Sequence, residues 1–162
     1  MSPMDPLLEL LQQDATLTAG QLAERLGKGE DDIRTHIEAL EKDGTVLGYH
    51  TVIDREKAGN HNVVALIDVK MTPERDGGFD HLAERIAKFD QVTSCYLMSG
   101  GYDLAVIVEG PDLREVARFV SEKLSTLDGV ISTTTHFQLK VYKQAGFLAK
   151  TEHEQERLAV AP

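Results

Sequence analysis

The sequence predicts an α+β protein with a three-helix N-terminal half and a βαββαβ C-terminal half. Three observations carry this prediction. Residues 4–43 repeat apolar side chains at helical spacing in three short runs. Residues 63–142 alternate strand-like runs with amphipathic helices in the ferredoxin-like order. The link Gly27-Lys28-Gly29 is short and rich in glycine, which is typical of a helix-turn-helix.

End signals bound the N-terminal helices. Thr18 precedes the second helix, and Gln21 completes a capping box with it. Gly27 suits the left-handed residue that ends this helix. The third helix is predicted over residues 30–43, with acidic residues in the first turn, where the helix dipole favours anions. Its predicted inner face consists of Ile33, Ile37 and Leu40.

The segment after the third helix connects the two halves. Residues 46–53 are predicted to be extended, either as the wing of a winged helix-turn-helix or as a connecting strand. The sequence therefore divides into a helix-turn-helix domain with its connecting strand (1–54), a polar linker (55–62), a ferredoxin-like domain (63–143) and a C-terminal tail (144–162).

The C-terminal half is predicted from alternating patterns. Strands are predicted at 63–71, 92–99, 102–109 and 131–142, and helices at about 79–89 and 112–124. Gly100-Gly101 predicts a tight turn between the two central strands. Residues 73–78 are predicted to form a loop, and the tail a short charged helix.

Composition narrows the function classes. The 162 residues carry a net charge of −10, which argues against nonspecific coating of DNA. A single cysteine, Cys95, excludes an internal disulfide, and the six histidines lack metal-ligand spacing, so we expect no metal and no cofactor. We do not expect the protein to be an enzyme, because the sequence contains no phosphate loop and no nucleophile motif. Neither a signal peptide nor a membrane-spanning run is evident, which indicates a cytoplasmic protein without a membrane partner.

Four stretches in order carry a family resemblance. They are Gln21-Leu-Ala-Glu-Arg-Leu-Gly27, Leu40-Glu-Lys-Asp-Gly-Thr-Val-Leu-Gly-Tyr49, Cys95-Tyr-Leu-Met-Ser-Gly-Gly-Tyr-Asp-Leu104 and Leu127-Asp-Gly-Val130. With this spacing, residues 4–143 resemble the Lrp/AsnC (leucine-responsive/asparagine-operon) transcription regulators. The resemblance implies DNA binding through the third helix, a homodimer formed by sheet contacts, and assembly to higher even-numbered oligomers. It also implies an amino acid or related metabolite as effector, bound near the central hairpin.

Candidate DNA-binding residues lie on and beside the third helix. Arg34 and Thr35 face outward and are predicted to reach base edges, with Lys28 on a phosphate. His36 stands where the family usually has an arginine. Residues 28–43 hold three basic side chains against six acidic ones, so we expect weak binding per protomer. A merely solvated helical face remains the alternative.

Candidate effector-binding residues centre on the hairpin. Gly100 and Gly101 leave backbone N–H groups open to a carboxylate, and Asp103 can pair with an ammonium group. Ser99 and Tyr102 complete the segment, and Thr134 or His136 of a neighbouring protomer is expected to close the pocket. The alternative is that the segment is only a turn.

Two other functions compete with a ligand-responsive regulator. One is a metabolite-sensing oligomer whose acidic helix-turn-helix has weak or no DNA binding. The other is an enzyme, because siroheme decarboxylases resemble the same two-part arrangement. The C-terminal half lacks the concentration of arginine and histidine that such an enzyme would use around its tetrapyrrole.

Overall fold

A computed structural model describes residues 4–73 and 78–149, which belong to two compact units divided between Thr51 and Val52. The predicted loop at 73–78 and the predicted charged helix of the tail lie mostly outside the described residues. None of the helices in the described ranges has the length and apolar character needed to span a membrane.

The first unit consists of three helices: α1 (Pro6–Gln13), α2 (Ala19–Leu26) and α3 (Glu30–Lys42). The predicted capping box is confirmed, since Thr18 and Gln21 exchange side-chain and backbone hydrogen bonds at the start of α2. Gly27 ends α2 with a φ of 63°, as predicted. Five residues from the three helices form the buried core: Leu7, Leu22, Ala23, Ile33 and Leu40.

The segment at 46–53 does not form the predicted strand. Its one backbone hydrogen bond to the helices runs from the Val46 N–H to the Leu40 carbonyl, at 2.9 Å. A strand needs a second strand to satisfy its N–H and C=O groups, and the three helices of this unit offer none.

The second unit is an antiparallel four-stranded sheet with helices between its strands. The elements in chain order are β1 (Val63–Met71), α4 (Asp80–Ala87), β2 (Val92–Leu97), β3 (Leu104–Gly110), α5 (Leu113–Arg118) continued by a π-helix (Phe119–Leu124), and β4 (Val130–Phe137). The sheet order β2-β3-β1-β4 confirms the predicted ferredoxin-like arrangement. The bounds of β1 agree with the prediction.

The two faces of this sheet differ in character. Ala65, Ile67 and Val69 of β1 are fully buried against residues of both helices, which include Ile86 and Val116. The other residues of β1 and their partners on β4 form what we call the open face: Val64, Leu66, Asp68, Lys70, Ser132, Thr134 and His136. Leu66 is 40% exposed on this face, so a partly apolar surface is left uncovered in the protomer.

The last strand is shorter than predicted. β4 stops at Phe137, and the Gln138 N–H donates the final bond to the Val64 carbonyl. Because β1 begins at Val63, it offers nothing for β4 to pair with beyond this point. The chain instead forms a small hairpin, β5 (Lys143–Gln144) and β6 (Phe147–Leu148).

The predicted linker at 55–62 belongs to the second unit and is held against its sheet. The guanidinium of Arg55 donates two hydrogen bonds to the Glu109 carboxylate, at 2.7 and 2.8 Å, and the Asn62 amide donates a third at 2.9 Å. The hydrogen bond from Arg55 lowers the pKa of Glu109, against the opposing effect of burial. Residues 55 and 62, both in the predicted linker, are thereby fastened to β3.

We expect Glu109→Gln to lower the free energy of unfolding by about 1 kcal/mol at neutral pH, since the pair is only partly exposed and bidentate. The folded-state pKa of Glu109 lies below its ordinary value of 4.5. Its contribution is therefore complete above that value and is lost as the pH falls through the folded-state pKa. Urea unfolding at several pH values should show the unfolding free energies of wild type and Glu109→Gln converge in acid. The control Glu84→Gln, at an exposed position, should stay close to wild type throughout.

Candidate nucleic-acid interface and effector site

The outward face of α3 carries the predicted DNA-contacting residues. Arg34 and Thr35 are exposed, and Lys28 is exposed in the turn before the helix. The Lys28 N–H donates to the Ala23 carbonyl at 3.0 Å, which keeps the turn between α2 and α3 tight. These three side chains lie where a nucleic acid can reach them.

Arg34 is already engaged within the helix. Its Nη2 contacts the Glu30 carboxylate, four residues earlier on α3, with 60% and 50% of the two side chains exposed. The first turn of α3 contains two further carboxylates, Asp31 and Asp32. The guanidinium of Arg34 is therefore paired with one carboxylate, on a helix whose first turn is acidic.

Unlike the other predicted DNA-contacting residues, His36 is only partly exposed. Its Nε2 is 3.0 Å from Oδ2 of Asp5, and the imidazole is only 35% exposed. Asp5 also caps α1, because its Oδ1 accepts the Leu7 N–H at 2.9 Å. His36 therefore links α3 to the start of α1. The sequence signals the cap, since Asp5 precedes a proline at the first helical position, but not the partner across the unit.

The loop between β2 and β3 is longer than the predicted two-residue turn. The Met98 N–H donates to the Asp103 carbonyl at 2.8 Å, which leaves Ser99–Tyr102 as a four-residue loop. Neither Gly100 nor Gly101 has a positive φ, and a Cβ on either would contact nothing within 4 Å. Nothing in the described protomer therefore requires glycine at these two positions.

Asp103 fixes the base of this loop. Its Oδ2 accepts the Met71 N–H at 2.7 Å, and its own N–H donates to the Val69 carbonyl at 3.0 Å. The side chain is partly buried. Asp103 thus stabilises the base of the loop. The sequence did not predict this role, because Met71, its partner, lies on β1, which is distant in the chain.

Two side-chain pairs follow the loop onto the open face. The Tyr102 hydroxyl is 3.0 Å from the Thr134 hydroxyl, so the structure brings together two predicted effector-binding residues. His136, also predicted, contacts Asp68 through Nε2 at 2.9 Å. Asp68 was missed, because only the register of β1 against β4 places it opposite Thr134 and near His136. The loop and these pairs form one polar region.

Within residues 4–73 and 78–149, neither the cysteine nor a cluster of possible metal ligands gives a second site. Burial raises the pKa of the Cys95 thiol, whose Sγ lies 3.9 Å from the Ala83 carbonyl oxygen, so the thiol stays protonated. Across the described residues, no three His, Cys, Asp or Glu side chains are grouped as metal ligands.

Comparison with known proteins assigns both units. Residues 7–46 match the family model for a winged helix-turn-helix DNA-binding domain. Residues 64–147 match the model for the Lrp/AsnC ligand-binding domain. The chain belongs to the Lrp/AsnC family of transcriptional regulators. This Lrp/AsnC chain is 46% identical over 157 residues to YugG, an uncharacterised helix-turn-helix transcriptional regulator of Bacillus subtilis. The match covers 96% of this chain and 95% of the relative.

Solved structures share this fold. A Neisseria meningitidis transcriptional regulator in complex with L-methionine superposes with a TM-score of 0.66 at 24% identity, covering 94% of the Lrp/AsnC chain and 99% of the neighbour. Escherichia coli AsnC gives a TM-score of 0.63 at 21% identity, with coverage of 88% and 97%. These likenesses confirm the helix-turn-helix and ferredoxin-like architecture predicted from the sequence.

Proposed function

We propose that this regulator senses an amino acid at the loop between β2 and β3 and adjusts its binding to promoter DNA accordingly. The observation that carries the effector site is the glycine pair. Gly100 and Gly101 have open space where side chains would be, although the protomer does not need glycine there. That space and the exposed backbone suit a ligand carboxylate that approaches from outside the protomer.

A zwitterion must have both of its charges met when it leaves water. Backbone N–H groups of Ser99–Tyr102 are proposed to meet the carboxylate, and Asp103 the ammonium group. Asp103 uses Oδ2 to hold Met71, and no hydrogen bond in the described residues occupies Oδ1. Thr134 and His136 of a neighbouring copy are proposed to complete the pocket, although within the protomer Thr134 contacts Tyr102 and His136 contacts Asp68. The L-methionine complex of the Neisseria meningitidis neighbour supports this ligand class.

A homodimer is part of the proposal. The open face has exposed apolar area at Leu66, and the sheet ends in two edge strands, β2 and β4. Covering this face with a second copy would also bring two helix-turn-helix units to one DNA molecule. Higher even-numbered assembly would place loops of different dimers together. We propose that it acts in the cytoplasm, with no enzymatic activity and no cofactor.

A second candidate is a sensor that does not bind DNA. The acidic first turn of α3 and the engagement of Arg34 by Glu30 favour it. Phosphate contacts supply most nonspecific affinity, and this face offers few free cations for them.

A gel-shift titration on the DNA upstream of the chain's own gene separates the two candidates. We expect a shift that requires two or more copies and changes when one amino acid is added. Its salt dependence per copy should be shallow, because few cations contact phosphates. Thermal shift over the proteinogenic amino acids identifies that ligand. A thermal response to an amino acid with no DNA shift at low salt would favour the sensor, and no response to any would contradict the effector site.

A further inference from the structure

Both oxygens of the exposed Glu30 carboxylate have a neighbour within the helix-turn-helix. One oxygen contacts Nη2 of Arg34. The other lies against α2, 3.3 Å from the position that a Cβ on Gly20 would occupy. A side chain at residue 20 would crowd this carboxylate, so glycine at this position leaves space for Glu30.

This position is one that a DNA phosphate would favour. The capping box satisfies the Thr18 and Gln21 N–H groups, and the N–H groups of Ala19 and Gly20 remain at the positive end of α2. Phosphates on DNA are commonly held by helix starts and by arginine. Glu30 contacts the arginine, and its second oxygen lies beside the start of α2.

We propose that Glu30 competes with a DNA phosphate for Arg34. A phosphate must displace Glu30 from Arg34 before the helix-turn-helix can bind DNA. The inference rests on the proposed DNA binding and names its regulation. Glu30 sets a threshold: a single unit binds poorly, and stable binding needs several units on one DNA. An exposed ion pair is weak enough for a phosphate to replace, which makes this exchange reversible.

The test compares four full-length proteins: wild type, Glu30→Gln, Arg34→Ala and the double variant. The probe is a fluorescein-labelled duplex of arbitrary sequence, about three helical turns long, titrated at several salt concentrations. Glutamine keeps the shape of glutamate but not its charge. We expect Glu30→Gln to bind about fivefold more tightly than wild type. The salt slope should steepen by about one counterion per bound unit, because Arg34 gains a phosphate.

Glu38→Gln is the matched control, because Glu38 is exposed on the same helix and its charge is equal. It should tighten binding about twofold through reduced repulsion, with an unchanged salt slope. In the Arg34→Ala background, Glu30→Gln should lose its effect on the slope. Equal effects of Glu30→Gln and Glu38→Gln on affinity and slope would overturn the competitor role and leave DNA binding intact. No binding by any of these proteins at low salt would overturn the proposed DNA function as well.

Discussion

Asp103→Asn is expected to abolish amino-acid binding while the ferredoxin-like unit keeps its fold. The amide retains an oxygen that can accept the Met71 N–H, a hydrogen bond of 2.7 Å in the wild type. It lacks the negative charge proposed to meet the ligand ammonium. Leaving a buried charge without its partner costs about 3–5 kcal/mol, which corresponds to at least a hundredfold loss of affinity.

Asp103→Ala is expected to do more harm than asparagine. It removes the acceptor for a partly buried backbone N–H, at a cost of about 1–3 kcal/mol. Calorimetry with the amino acid that wild type binds, together with thermal unfolding, separates the two effects. Exposed Asp90→Asn is the control and should match wild type. If Asp103→Asn binds the amino acid with wild-type affinity, another residue contacts the ammonium group. The carboxylate of Asp68, which the sequence did not predict as part of the site, would be the next group to test.

Ile33→Ala is expected to unfold the helix-turn-helix unit and leave the sheet unit folded. Ile33 is fully buried in a core of only five buried residues. Removing such a side chain costs about 2–5 kcal/mol. A unit of about 50 residues has a total stability of only about 3–7 kcal/mol. The sheet unit has a core of its own, so we expect it to stay folded.

The whole chain should then lose DNA binding and the part of its helical circular dichroism that α1–α3 contribute, but retain amino-acid binding. Ile37→Ala provides a comparison on the same helix, since Ile37 is only half-buried and should cost less. Loss of ligand binding in Ile33→Ala, in parallel with loss of helix, would mean that the two units unfold as one.

Features that depend on neighbouring residues could be predicted from the sequence. The capping box at Thr18, the end of α2 at Gly27 and the whole of β1 follow from spacing within a few residues. The cap of α5, at the start of the helix predicted over 112–124, also depends on near neighbours, because the Asp112 carboxylate accepts the Arg114 and Glu115 N–H groups. Local chemistry decides these features, so no tertiary information was needed.

Features that depend on a distant partner could not be predicted. The segment at 46–53 has strand-like residues but no strand to pair with. β4 ends where β1 begins, which no pattern within β4 reveals. For the candidate sites, the outward positions of Arg34 and Thr35 follow from helical spacing. The contacts of His36 with Asp5, of His136 with Asp68 and of Asp103 with Met71 depend on register and packing.

The double role of Asp5 has a practical consequence for protein engineering. One carboxylate caps α1 and also holds His36 on α3. Trimming a few N-terminal residues is a routine way to improve crystals, but a truncation that removes Asp5 would take away both contacts. The cap alone contributes about 0.5–2 kcal/mol, a large share of what keeps so small a unit folded. Shortened versions should therefore begin before Asp5, and affinity tags are better joined with a spacer that leaves the Asp5-Pro6 junction unchanged.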